Sequence, residues 1–227
     1  MQFVRLEHQK LSREVEDLQC EGLVIVQDSE LYRFTSDSVL LANFFKARPG
    51  ETVAELCAGS GVISILGTKK TKAKQFYCFE IQKEMCELAE ESIKFNNIKN
   101  ISVIEADISD ASKILDKKVD VVVVNPPYYA DGKPSGNKVV AVATHEIKTS
   151  LAKIAKSAGE ILKFGGKFYM VHLADRFAQI CYELVKNNIE PKVAVFVRPT
   201  KDKQTNVVLI EAIKNGKPGL KIQEKVL

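Results

Sequence analysis

A chain of 227 residues, 45% of them hydrophobic, carries enough apolar material for one α/β domain with a full core, and no second large domain is expected. No apolar run approaches the roughly 18 residues that a membrane span needs, and charges interrupt Met1-Gln-Phe-Val-Arg-Leu-Glu-His8 where a signal peptide would be continuous, so a cytoplasmic protein is expected. Five cysteines (Cys20, Cys57, Cys78, Cys86, Cys181) form no Cys-x-x-Cys pair, which speaks against a zinc knuckle or redox motif; no metal is expected, and a net charge of +4 does not by itself announce a nucleic-acid binder.

Residues 1–20 alternate charges with scattered apolar positions and predict only a loosely packed extension. Gly22–Gln27, a polar turn at Asp28-Ser29-Glu30 and Leu31–Phe34 predict a β-hairpin, which completes an N-terminal extension over residues 1–34. Thr35 or Ser36 can cap a helix whose apolar face is Val39, Leu40, Leu41, Phe44 and Phe45. Thr52–Cys57, then Ala58-Gly59-Ser60-Gly61, then apolar residues to Leu66 predict a strand, a glycine turn and a helix. Glycines at 59 and 61 let a ligand approach the backbone without meeting a Cβ, and the helix start offers free N–H groups. A dinucleotide fingerprint would need a third glycine, and position 64 is Ser64.

Gln75–Glu80 predicts a second apolar strand ending in a carboxylate that can accept both hydroxyls of a ribose, with a helix over Ile81–Asn97 behind it. Ile101–Ala106 predicts a third strand, with Asp107 at its end. In Lys118–Val124 the run Val121–Val124 is β-branched throughout and apolar on both faces, the pattern of a central parallel strand. Pro126 and Pro127 stop it, leaving Asn125 and Tyr128 in a stiff turn at the carboxyl end of the sheet, where open α/β sheets bind ligands.

Tyr129–Glu146, with Gly132, Pro134 and Gly136, predicts a mobile substrate loop. A helix over Leu151–Leu162, a terminator at Lys163–Gly166, a strand over Lys167–His172, a helix over Arg176–Asn188 and a terminal hairpin of Val193–Val197 with Val207–Ile210 complete the chain. Two basic groups could meet phosphates. One is Lys69, Lys70, Lys72 and Lys74; the other runs from Arg198 through Lys201, Lys203, Lys214, Lys217 and Lys221 to Lys225.

Asn125-Pro-Pro-Tyr128 resembles the catalytic motif of S-adenosylmethionine-dependent methyltransferases that modify adenine N6 or side-chain amide nitrogens, and Glu55-x-x-x-Gly59-x-Gly61 is similar to the first motif of class I methyltransferases. The residue types suit that chemistry. The lone pair of such a nitrogen is delocalised, and two carbonyls that accept its N–H groups, from the Asn125 side chain and the Pro126 backbone, draw it towards tetrahedral without a metal or a strong base. Tyr128 would lie flat on a purine.

Together with Tyr32-Arg-Phe34-Thr35-x-Asp37 and His145-Glu146, these motifs resemble the bacterial tRNA1(Val) adenine-N6 methyltransferase family. The resemblance implies a class I (Rossmann-like) α/β domain over residues 35–227, with a seven-stranded, mostly parallel sheet, its last strand antiparallel and helices on both faces. It implies S-adenosylmethionine held by Glu55, Gly59, Gly61, Glu80, Asp107 and Asn125, with Asp107 on the adenine amino group. Catalysis would fall to Asn125, Pro126, Pro127 and Tyr128. Phe34, Thr35 and Asp37, with Tyr128, would meet the substrate, an adenosine of tRNA beside the valine anticodon. Thr144 stands where many relatives carry a basic residue, which leaves the RNA contact there open. A protein-glutamine methyltransferase shares the tetrapeptide and is the alternative, although such enzymes carry a helical N-terminal domain for which 34 residues give no room. A binding module without turnover, or a DNA methyltransferase, fits the motifs less well.

Overall fold

A computed structural model describes residues 12–129 and 135–227. In chain order the elements are β1 (Arg13–Asp17), β2 (Val24–Asp28), α1 (Ser36–Phe44), β3 (Thr52–Leu56), α2 (Val62–Lys70), β4 (Gln75–Glu80), α3 (Lys83–Phe95), β5 (Ile101–Glu105), α4 (Ala111–Ile114) and β6 (Val119–Val124). They continue with α5 (Lys138–Thr144), α6 (Leu151–Ile161), β7 (Leu162–Leu173), α7 (Phe177–Lys186), β8 (Ile189–Arg198), β9 (Val207–Lys214) and β10 (Lys221–Val226).

The main sheet has the order β10-β8-β9-β7-β6-β3-β4-β5. Strands β3 to β7 run parallel, and β9 lies antiparallel between β7 and β8. The seven expected strands are all present, the seventh antiparallel as expected, and β10 adds an eighth at the edge, parallel to β8.

Strand β6 sits in the middle because it is the strand with no polar face to offer water. Val121 and Val123 pack with α1 and α2 on one side, while Val122 and Val124 pack with α6 and α7 on the other. Fully burying one such side chain stabilises the fold by about 1.5–3 kcal/mol. The carboxyl ends of β3, β4, β5, β6, β7 and β8 therefore all reach one edge of the sheet, with Leu56, Glu80, Glu105, Val124, Leu173 and Arg198 as their last residues.

The N-terminal hairpin differs from the expected one. Strand β2 pairs with β1, Arg13 opposite Asp28 and Asp17 opposite Val24, and not with Leu31–Phe34. The chain reverses through Gln19, Glu21 and Gly22, all at positive φ. Strand β1 carries charges on its exposed positions, where Glu14 and Glu16 meet Arg33, so it shows no apolar alternation. Leu31–Phe34 instead leads into α1 with the Phe34 N–H on Gln27 Oε1 at 3.3 Å. Within the expected loop over Tyr129–Glu146, residues 138–144 form α5, capped by the Asn137 side chain, which accepts from the N–H groups of Val139 and Val140. Gly132, Pro134 and residues 1–11 lie outside the described residues.

Topology keeps the first basic group on one edge and divides the second between both. Lys69 and Lys70 end α2 and Lys72 and Lys74 precede β4, on the amino edge of the sheet; Lys214 ends β9, Lys217 follows it and Lys221 opens β10 on that same edge. Lys201 and Lys203 are exposed in the β8–β9 turn, on the carboxyl edge, and Lys225 stands beside Val197 near the same end. The six residues of β4 put about 20 Å between the two edges.

Candidate active site

Along the carboxyl edge lies a cavity of about 360 Å³. Of the residues expected to hold cofactor or substrate or to catalyse, Phe34, Thr35, Asp37, Glu55, Gly59, Glu80, Asp107 and Asn125-Pro126-Pro127-Tyr128 line it and Gly61 does not; His145 and Glu146 also lie outside its lining. Gly61 stands behind the turn as the N-cap of α2, at φ 75°, where a Cβ would lie 3.4 Å from Ala89 Cβ.

The β3–α2 turn holds three left-handed residues in five: Cys57 (φ 57°), Gly59 (φ 55°) and Gly61. A left-handed backbone costs a residue with a side chain about 1–2 kcal/mol. Cys57 accepts that strain and lines the cavity, partly buried.

Glu55 is 1% exposed and braces this turn from below. Its Oε2 accepts from the Ser64 N–H at 2.9 Å and from the Ser64 hydroxyl, tying β3 to the first turn of α2, while Oε1 has no partner among the described residues. Burial pushes its pKa from 4.5 up to about 7, against the pull of the Ser64 and Cys78 donors. A carboxyl whose pKa is raised in the folded state contributes stability that is fully present below its unfolded pKa and is lost as pH rises through the folded one. Between pH 4.5 and 7 the loss amounts to about 3 kcal/mol. Glu55→Gln should remove that slope, so its melting temperature should gain on the wild type between pH 5 and pH 8; parallel curves would show that Glu55 does not titrate in this range.

Glu80 ends β4 and holds three backbone donors. Its Oε2 accepts from Gly59 N–H (2.8 Å), and its Oε1 accepts from Ile81 N–H (2.9 Å) and Gln82 N–H (3.0 Å). Burial nevertheless raises its pKa, outweighing the three hydrogen bonds. Of roughly four acceptor positions on a carboxylate one is left for a ligand, so Glu80 shapes the turn as well as facing the cavity.

Asp107 is similarly engaged. Its Oδ1 caps a short 3-10 turn through Ser109, and its Oδ2 pairs with Lys153 Nζ at 2.6 Å. Burial works to raise its pKa, but the hydrogen bonds from Lys153 and Ser109 prevail and hold it below the usual carboxylate range. Lys153 was not foreseen from sequence. It comes from α6, which packs across this corner of the sheet.

Asn125 follows β6. Its Nδ2 donates to Ser38 Oγ at 2.8 Å, and its Oδ1 lies 2.9 Å from the Tyr128 hydroxyl, which also lies 2.9 Å from Asp37 Oδ2. Stacking alone was expected of Tyr128, with no use for its hydroxyl, and here that hydroxyl has two partners. Burial, then the nearby Asp37 charge, raise the phenol pKa, so Tyr128 remains a donor. Burial also raises the Asp37 pKa.

Two residues that sequence reasoning passed over fix Tyr128 from behind. The His172 ring packs on it with centroids 4.9 Å apart, and Arg176 Nη1 donates to the Tyr128 carbonyl at 3.0 Å while pairing with Glu146 at 2.5 Å. His172 Nδ1 accepts from the Leu173 N–H, and burial followed by the nearby Arg176 charge pushes its pKa down to about 3, so the ring is neutral. His145-Glu146 is thus half structural: Glu146 anchors Arg176, and His145 packs its ring against the half-exposed Tyr129. The position of His172 at the end of β7, on the same edge as Asn125, was the one available signal for its role.

The family described as methyltransferase small domain matches residues 33–190. The chain belongs to that family. A Methanocaldococcus jannaschii protein, provisionally named a protein N5-glutamine methyltransferase, is 34% identical over 111 residues, which are 49% of this chain and 54% of that protein. A Glaesserella parasuis protein named tRNA1(Val) (adenine(37)-N6)-methyltransferase is 28% identical over 123 residues, 53% of this chain and 51% of that one. The chain thus spans about half the length of these relatives. Among solved structures, a predicted O-methyltransferase from Agrobacterium tumefaciens superposes with a TM-score of 0.68 at 20% identity, covering 84% of this chain and 86% of the other. The fold of this methyltransferase family member is the class I fold. Among the described residues no helix is long and apolar enough to cross a membrane, and no group of three or more His, Cys, Asp or Glu could hold a metal ion.

Proposed function

We propose that this chain transfers a methyl group from S-adenosylmethionine to the N6 amino group of an adenosine in tRNA, at the position named for its Glaesserella parasuis relative. The observation that carries this reading is the closure of one cavity by Asn125-Pro-Pro-Tyr128 on one side and by the Gly59 turn, Glu80 and Asp107 on the other. The residues fit the cofactor. A turn without side chains at Gly59 leaves room for its methionine end, and the last acceptor position of Glu80 faces the cavity for a ribose hydroxyl. Asp107 would meet the adenine edge, with its charge already balanced by Lys153. When bound, S-adenosylmethionine supplies a methyl group activated on a sulfonium.

The chain's own part is to bind, orient and exclude water. Asn125 Oδ1 keeps a lone pair for one N–H of the incoming amine, and the Pro126 carbonyl would take the other, which concentrates the nitrogen lone pair. Tyr128, backed by His172, offers its ring to the base. No base is needed before transfer: the nitrogen takes on positive charge with the methyl group and sheds its proton to solvent afterwards, so Asp37 is left to fix the Tyr128 hydroxyl.

A tRNA must present the base unstacked, with backbone phosphates supplying much of the affinity, and a cytoplasmic location follows from that substrate. The cations able to reach those phosphates are those on the cavity's edge, Lys201 and Lys203 first. Each phosphate neutralised should steepen the fall of log K with log salt by roughly 0.7–0.9. Charge removal at Lys201 and Lys203 should flatten the slope, and the same change at Lys70 and Lys72 should leave it alone; the reverse pattern would put the RNA on the wrong edge.

The direct test is incubation with radiolabelled S-adenosylmethionine and bulk tRNA from a strain lacking the gene, followed by digestion to nucleosides. Label in N6-methyladenosine is expected. The second reading, methylation of a protein glutamine, is favoured by the 34% identical relative. Turnover on a glutamine-bearing protein with none on tRNA would establish it.

A further inference from the structure

The side-chain amide of Asn125 is nearly symmetrical in shape and opposite in chemistry at its two ends, one an acceptor and the other a donor. Only the oxygen end can take an N–H of an amine, so the reading above requires an amide that is held one way round. A reversed amide would set its own NH₂ against the NH₂ of the substrate. The tetrapeptide's backbone does not decide the matter, because Pro126 and Pro127 have no N–H to give to the amide oxygen.

The contacts that distinguish the two ends come from elsewhere. The nitrogen end donates to Ser38 Oγ at 2.8 Å, and the oxygen end lies 2.9 Å from the Tyr128 hydroxyl. Ser38 is 5% exposed in the first turn of α1, one residue after the Asp37 that fixes the Tyr128 hydroxyl from its other side. Both partners are hydroxyls that can donate or accept, so the orientation follows from where their protons lie: with the single Tyr128 proton on Asn125 Oδ1 and Ser38 Oγ accepting from Nδ2, the oxygen end is held on the Tyr128 side.

We propose that Ser38 is a positioning residue for methyl transfer, acting with the Tyr128 hydroxyl to hold the Asn125 amide with its oxygen free for the substrate nitrogen. This rests on the role given to Asn125 above and holds for an adenine amine or a glutamine amide alike.

The first test needs no substrate. Solvent exchange of the Asn125 side-chain NH₂ protons, assigned by NMR through their loss in Asn125→Ala, should be slow in the wild type, at least about tenfold faster in Ser38→Ala, and slow again in Ser38→Thr, which restores the acceptor. Exchange that does not respond to Ser38→Ala overturns the proposal. The second test uses methyl transfer to bulk tRNA. Ser38→Ala should lower kcat about tenfold, the effect of one hydrogen bond, with S-adenosylmethionine affinity unchanged by calorimetry. In the Asn125→Ala background the same change should have no further effect. An equal loss in both backgrounds would make Ser38 a packing residue and overturn the proposal. Full activity in Ser38→Ala, with Asn125→Ala inactive, would overturn it while leaving the role of Asn125 intact; full activity in Asn125→Ala would remove that role itself.

Discussion

Asn125→Ala is expected to lower kcat by about two to three orders of magnitude, the loss found when one preorganised hydrogen-bond group is removed from a reacting centre. Cofactor affinity should change little, because the cofactor wall is built from β3, β4 and the turn after β5, and those elements do not depend on the Asn125 side chain. The change does release two partners, Ser38 and Tyr128, from the amide. Neither is left as a buried charge, so the loss of stability should stay within about 1–2 kcal/mol. Steady-state kinetics on tRNA with parallel calorimetry decides the matter. Near-normal kcat would end the assignment of the tetrapeptide as the catalytic element.

Glu80→Ala should act on a different quantity. One substitution strips three backbone donors, Gly59, Ile81 and Gln82, of their acceptor and loosens the turn on which the cofactor would rest. Affinity for S-adenosylmethionine should fall about a hundredfold, and stability by about 2–3 kcal/mol, from the unmet N–H groups. Glu80→Gln separates the two effects. Its carbonyl still serves part of the turn, but its NH₂ faces the same donors, so affinity should remain low while part of the stability returns. If Glu80→Ala melts early yet binds the cofactor with unchanged affinity, Glu80 is a brace for the turn and nothing more.

Much of the sheet could be read from the chain because burial on both faces leaves a plain mark. Val121–Val124 offers no polar side, so it had to be central, and the prolines after it had to end the strand at the ligand edge. Where a strand is exposed the mark fades: Arg13–Asp17 is held by ion pairs with Arg33 and by Arg13 contacts to Glu87 and Glu91 on α3, none of which shows as alternation. Helix α5 was hidden by the glycines and proline before it and by a composition, Lys-Val-Val-Ala-Val-Ala-Thr, that owes its helical start to the Asn137 cap. Within the site, chain order located Glu80, Asp107 and Asn125, since strand ends carry them. Ser38 could not be found that way. A lone serine on a helix gains a role only when folding brings it to an amide 87 positions away. The two basic groups were equally legible as charge, and only the direction of the strands tells that Lys201, Lys203 and Lys225 share an edge with the cavity while Lys214, Lys217 and Lys221 of the same group do not.

The eighth strand bears on how the protein can be handled and extended. Strand β10 runs parallel to β8, and Leu227 N–H closes on the Arg198 carbonyl, so the chain leaves the sheet on the cavity's edge and beside the turn that holds Lys201 and Lys203. Any chain or label that follows Leu227 begins its path there, in the space that an incoming tRNA would occupy. An attachment at Lys70 or Lys72, on the opposite edge, would leave that approach open.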